Sequence, residues 1–139
     1  MRRYAAAVAA LILVAVLAPF AFRGATVEAK PSAVHILQNA VVTTSNGSIL
    51  PLVNYNTAVV QTVGTFTGTI TFEGTVDGAT WIAVALADLG STTRARSTTA
   101  TATGKLYMLE DAGGLTMFRA RISTYTGGTF TVKARAWGP

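Results

Sequence analysis

The ordinary acid–base side chains of this 139-residue chain amount to one imidazole and six carboxylates. There is no Cys, which removes thiolate catalysis, thiolate metal sites and disulfides together. A Ser/His/Asp hydrolase needs an oriented base, and His35 sits alone in an apolar, β-branched run that reads as structural. Glu73 and Asp77 are the nearest approach to a carboxylate pair for glycoside chemistry. Asp77 precedes Gly78, however, and Asp takes that position for backbone reasons in a turn. Glu73, Asp77 and Asp88 match no calcium-loop spacing. Gly113-Gly114 and Gly127-Gly128 read as turn glycines, because no helix follows to make a phosphate cradle. The expectation is therefore a non-enzymatic protein with no metal and no cofactor.

The cations are more informative. Half of the chain is apolar and only 12% is charged, yet basic residues outnumber acidic ones 11 to 6 and the pI is near 10.1. Residues 94–139 hold seven basic and two acidic side chains, net +5, whereas residues 30–93 hold one Lys against Glu73, Asp77 and Asp88, net −2. Phe118, Ala120 and Ile122 alternate with polar residues, and so do Phe130, Val132, Ala134 and Ala136. Folding these two runs as a hairpin around Thr126-Gly127-Gly128 sets Ile122 opposite Val132 and Ala120 opposite Ala134. Arg121 then faces Lys133, and Arg119 faces Arg135, although like charges directly across a strand pair are destabilising.

Three explanations of such a stripe stay open. Glu110, Asp111 or an acid on a neighbouring strand neutralises it; or it meets the acidic half of another copy; or it binds an external polyanion. Arg119, Arg121, Lys133, Arg135 and Trp137 form the candidate anion- or partner-binding set, because Trp137 shares the parity of Lys133 and Arg135. An anionic glycan or lipid fits better than nucleic acid, since the aromatics do not alternate with the cations as a stacking platform requires. Trp81 reads as a core residue.

The elements that must position these residues are strands. Thr supplies 21 of residues 30–139 and one of the first 29, and a β-branched residue suits a pleated, half-wet surface. Val34 to Thr44 is a β-branched run closed by Ser45-Asn46-Gly47; Ser48 to Val53 carries Pro51, which suits an edge. Thr57 to Val63 follows. Phe66, Gly68, Ile70 and Phe72 then share one face and Thr65, Thr67, Thr69 and Thr71 the other. Asp77-Gly78 is a turn and Trp81 to Leu86 the returning strand. Ser91 to Gly104 reads as an exposed strand or loop, Lys105 to Glu110 as a strand and Asp111 to Gly114 as a turn. About eight short strands with regular turns predict an all-β fold, an antiparallel β-sandwich of jelly-roll-like type.

A different object precedes it. Arg2 and Arg3 stand before Tyr4 to Phe22, 19 residues without a charge, and Val27-Glu28-Ala29 offers small residues where a signal peptidase reads. The reading is a division into residues 1–29, a signal peptide or membrane anchor helix, and residues 30–139, the β-sandwich domain. Nineteen residues also suffice to span a bilayer, so contact with a membrane through residues 4–22 is the alternative to cleavage. Both versions place the domain outside the cytoplasm.

Phe72-Glu-Gly-Thr-Val-Asp-Gly-Ala-Thr-Trp81, preceded by Gly64-Thr-Phe-Thr-Gly-Thr-Ile70, resembles a small β-module of bacteriophage and prophage structural proteins and bacterial surface proteins. Phe118 to Ala136 is similar to that module's closing hairpin, so the resemblance covers about residues 47–137. It implies a β-sandwich used in virion, tail or surface assembly, with Glu73, Asp77, Gly78 and Trp81 as structural residues. The N-terminal segment departs from most phage structural proteins and favours an exported surface or virion subunit. The expected function is assembly, with itself or with other surface or virion proteins, His35 to Thr44 being a candidate donated strand. The alternative is a secreted or surface-anchored module binding anionic glycans or envelope polymers.

Overall fold

The computed structural model describes residues 31–101 and 103–138; the expected signal or anchor, residues 1–29, lies outside them. Eleven strands follow one another: β1 (His35–Val41), β2 (Ile49–Pro51), β3 (Thr57–Val63), β4 (Phe66–Thr75), β5 (Ile82–Ala83) and β6 (Leu86–Asp88), then β7 (Arg96–Ser97), β8 (Thr99–Ala100), β9 (Lys105–Leu109), β10 (Met117–Gly128) and β11 (Phe130–Trp137). One 3₁₀ turn, Ala112–Gly114, separates β9 from β10. All pairings are antiparallel. The first sheet runs β1-β11-β3-β9-β6-β7; the second runs β2-β10-β4-β5, with β8 also on β4. Successive strands β1 to β4 thus alternate between the sheets, and the late strands return in reverse order to pair with them.

The alternation written in the sequence decides what lies between the sheets. Leu50, Val60, Ile70, Phe72, Phe118, Ile122, Phe130 and Val132 are each 1% exposed or less. Phe72 sits with its ring centroid 5.2 Å from Tyr107 and 6.2 Å from Phe118, and Phe130 stacks on Phe66 at 3.9 Å. Aromatic pairs at the two Phe72 separations add to the stabilisation from their buried area. The strand limits Thr57–Val63, the edge position of β2 with its Pro51, and the Ser45-Asn46-Gly47 turn with Gly47 at φ +72 all agree with the sequence reading.

Three expectations about the strands do not hold. The run Trp81 to Leu86 is not one strand: β5 pairs with β4, and the chain then crosses to the first sheet, where β6 pairs with β9. Ser91 to Gly104 is not merely an exposed segment, because β8 tucks Ala100 into the core. Most consequentially, β10 and β11 are not a hairpin. β10 pairs with β4 and β2, β11 with β3 and β1, so the two strands lie in different sheets. Their apolar faces meet across the core rather than side by side. The arrangement moves Arg119 and Arg121 to one outer surface and Lys133 and Arg135 to the other. Like charges that a hairpin would hold about 5 Å apart are separated by two sheets about 10 Å apart.

The segment expected as a donated strand completes its own chain's sheet. β1 pairs with β11 through two register shifts, and Leu37 and Gln38 are buried. Gln38 also bridges the sheets: its Nε2 donates to the Ala120 carbonyl of β10 at 2.7 Å. Gln38→Ala removes that bond and opens a gap beneath β1. A loss of about 1–2 kcal/mol is expected in urea unfolding, and an unchanged midpoint would show that the bridge holds nothing.

Candidate functional site

The two outer faces differ in chemistry. On the second sheet, register sets Ile49, Arg119, Glu73 and Ala83 in one row and Arg121, Thr71 and Thr99 in the next. Side chains in such rows project to the same side. Glu73 is only 6% exposed, and each of its carboxylate oxygens accepts one guanidinium hydrogen bond. Arg119 Nε donates to Oε2 and Arg121 Nε to Oε1, both at 2.7 Å. The Trp81 ring is half-buried and its centroid lies 4.1 Å from the Arg119 guanidinium, which therefore contacts the indole with its face while its Nε edge bonds the carboxylate. Trp81 is not the core residue expected from its apolar surroundings. Cation–π contact of this kind is attractive, more so where water is excluded.

The turn that brings Trp81 back is fixed by Asp77. Its Oδ1 accepts hydrogen bonds from the backbone N–H groups of Thr80 at 2.8 Å and Ala79 at 2.9 Å, and from the Thr75 hydroxyl at 2.8 Å. Gly78 follows with φ +76, a conformation glycine adopts without strain. The Thr80 N–H, then that of Ala79 and the Thr75 hydroxyl, hold the Asp77 carboxyl below the usual carboxylate range. Folding therefore favours its ionised form. Its contribution is complete above about pH 4, the unfolded value, and is lost as pH falls toward the lowered folded one. Asp88 is lowered in the same sense, first by the Gly90 N–H and then by Lys105. Asp77→Asn is expected to flatten, without abolishing, the fall of the urea midpoint between pH 5 and pH 2.5. An identical slope in both proteins would refute this account.

On the first sheet, Lys133 and Arg135 of β11 have no such carboxylate partner among the described residues. Lys133 pairs in register with Gln61 and Ile36, and Arg135 with Val59. Among the described residues, Arg94 and Arg96 contact Glu110, Lys105 contacts Asp88 at 3.1 Å, and Arg119 and Arg121 contact Glu73. Lys133 and Arg135 stand outside these ion pairs. Arg135 Nε instead donates to the Ser32 carbonyl at 3.0 Å, and its guanidinium lies 6.0 Å from the Trp137 ring. The five residues singled out in the sequence thus form two sites: Arg119 with Arg121, neutralised by Glu73, and Lys133 with Arg135 and Trp137, which no described carboxylate neutralises. Sequence reasoning missed Glu73 as the acid and Trp81 as the ring. The carboxylates of Glu73 and Asp77 are both committed to bonds within the fold.

Among the described residues no group of three or more His, Asp or Glu side chains is placed to hold a metal ion. A shallow hollow of about 410 Å³ lies beside the Asp77 turn, lined chiefly by Val76, Ile82, Val84 and Leu115.

No family model matches the chain, and no curated protein matches it significantly. Solved structures do share the fold. The SPBc2 prophage-derived protein YomS superposes with a TM-score of 0.69 at 18% identity, over 78% of this chain and 96% of YomS. The PBSX exported protein XepA superposes with a TM-score of 0.73 at 18% identity, over 80% of this chain and 39% of XepA. The chain thus spans about two fifths of XepA. At this identity the likeness is one of fold.

Proposed function

We propose that this protein is a non-enzymatic, exported structural unit that assembles with itself or with other proteins of a phage-related particle or cell surface. The observation that carries the reading is the match to YomS over nearly all of that prophage-derived protein. The XepA match adds an exported protein in which such a sandwich is one part of a longer chain. The pairing of β1 with β11, β2 with β10, β3 with β9 and β4 with β8 supports a jelly-roll-like sandwich, an architecture found in viral capsid and lectin domains. Fold alone assigns no activity, so the side chains have to carry the rest. Glu73, Asp77, Asp88 and Glu110 are all engaged in ion pairs or turns, which suits a domain whose polar groups hold it in shape. The resemblance of Phe72 to Trp81 to the phage and surface module points the same way, with Glu73 and Trp81 contacting Arg119 and the Asp77-Gly78 turn lying between them in sequence. Export draws its support from Arg2, Arg3 and the uncharged run Tyr4 to Phe22.

Mass spectrometry and electron microscopy of the protein purified from its source test this reading. Regular filaments or shells that persist in about 0.5 M salt, where the Debye length is only about 4 Å, are the expected result. A monomer beginning at Lys30 that binds anionic glycans in a salt-sensitive way would overturn assembly and establish the alternative.

A further inference from the structure

We infer that the outer face of the first sheet docks onto an anionic membrane surface, with Lys133, Arg135 and Trp137 at the level of the lipid headgroups. This goes beyond assembly and does not depend on it. The registers Ile36–Lys133–Gln61–Leu106 and Arg135–Val59–Met108–Ala87–Arg96 define the face. Its outward-facing positions bear Lys133, Arg135 and Arg96, while Lys105 of β9 has the opposite parity and contacts Asp88; Arg96 contacts Glu110, and so does Arg94 from the preceding loop. Around the cations stand exposed aliphatic side chains: Ile36 at 49%, Leu106 at 43% and Val63 at 37%. A surface that mixes uncompensated cations with aliphatic groups and an indole suits the headgroup layer. There the charges meet anionic lipid, and the apolar groups reach the acyl boundary.

The chain's own connectivity selects this occupant over others. Pro31 bridges to Trp137, Ser32 N donates to the Ala136 carbonyl at 2.7 Å, and Ala136 N donates to Ser32 Oγ at 2.9 Å. The start of the described chain is therefore stitched to the end of β11, beside Arg135 and Trp137. Upstream in the sequence lies Tyr4 to Phe22, long and apolar enough to span a bilayer. Eight residues, Arg23 to Lys30, separate Phe22 from Pro31, a reach of at most about 30 Å. In a chain that keeps this segment in a bilayer, the β1–β11 end of the face is held within that distance of the headgroups. Tethering of this kind gives an effective concentration of about a millimolar, so a few weak contacts suffice to lay the face down.

The two tryptophans lie on opposite outer faces and report the orientation directly. The full chain is reconstituted in vesicles of phosphatidylcholine, with or without about a third phosphatidylglycerol, using lipids brominated near the headgroup end of the acyl chain. Trp81→Phe leaves only Trp137, and Trp137→Phe leaves only Trp81. Quenching of Trp137 is expected to exceed that of Trp81 about threefold in the anionic vesicles, and to fall in high salt. Each cation near such a surface strengthens association about fivefold. Lys133→Ser with Arg135→Ser should weaken it about 25-fold and bring the Trp137 signal down to that of Trp81. Spin labels on Leu106→Cys and Thr99→Cys, in a chain with no other Cys, repeat the comparison with both tryptophans intact. Equal quenching of the two faces, or no difference between neutral and anionic vesicles, would overturn the inference. So would disulfide cross-linking of Leu106→Cys chains in lipid-free detergent, which would make a second copy the occupant.

Discussion

Glu73→Ala is expected to destabilise the protein by about 3 kcal/mol, although it removes a side chain from the outside of a sheet. Removing one partner of a poorly solvated ion pair leaves the other charge uncompensated, which costs about 3–5 kcal/mol when the site is fully buried. Here Arg119 is 16% exposed and Arg121 39% exposed at the side chain, so the cost lies at the low end. Two guanidinium groups lose their acceptor at once, and Arg119 remains pressed against Trp81. Glu73→Gln keeps an acceptor oxygen and the packing but not the charge, and should cost about 1–2 kcal/mol. Arg119→Met together with Glu73→Leu removes the two least exposed charges and fills similar volume, and should recover much of the loss, since the Arg121 that remains is 39% exposed at the side chain. Urea unfolding of the four proteins measures this. A Glu73→Ala midpoint equal to that of the unaltered protein would show the cluster to be ornamental surface charge, worth the usual fraction of a kcal/mol.

The cluster also shows which parts of this fold could be read in advance. Period-two alternation states which side chains of a strand face inward, and it placed Phe72, Phe118, Ile122, Phe130 and Val132 correctly. Turn chemistry is equally local: Asp77-Gly78 closes through bonds that Asp77 accepts from the N–H groups two and three positions on, so the sequence carries the whole turn. Strand pairing is not local. Two consecutive strands with apolar faces satisfy the same pattern side by side in one sheet or across the core in two. The sequence held one clue against the first option, the cost of setting Arg119 and Arg121 against Arg135 and Lys133. The structure removes that cost by separating the strands, and it brings in Glu73 from 46 residues away. Trp81 was misread for the same reason. Its surroundings in sequence are apolar, but the partner that fixes it, Arg119, lies on a distant strand.

Gly128→Ala is expected to be the most damaging single methyl group that can be added to the domain, and Gly127→Ala next to it almost silent. The chain leaves β10 at Gly128 and enters β11 at Phe130, so this is the corner where it passes from one sheet to the other. Gly128 has φ +85, and a Cβ built there would lie 1.7 Å from the Thr65 carbonyl oxygen and 2.8 Å from Phe66 Cα. These are backbone atoms of β4 and its approach, and they cannot rotate away. Relief requires the corner to open. That would break the bond from Thr129 N to the Thr65 carbonyl, 2.9 Å, and pull Phe130 off Phe66, on which it stacks at 3.9 Å. The left-handed backbone adds its own strain for any residue with a Cβ. The combined loss should exceed about 4 kcal/mol, a range reserved for mutations that disrupt core or backbone. Against a total stability of about 5–15 kcal/mol, that predicts insoluble or unfolded protein at 37 °C. Gly127 has no neighbouring heavy atom within 4 Å of its would-be Cβ. Alanine there should change stability by no more than about 0.5 kcal/mol. Soluble expression and thermal unfolding of the two variants decide the matter. Equal effects at 127 and 128 would mean that the corner is an ordinary turn, and that the crossing between sheets is not set by the close approach of Gly128 to Thr65.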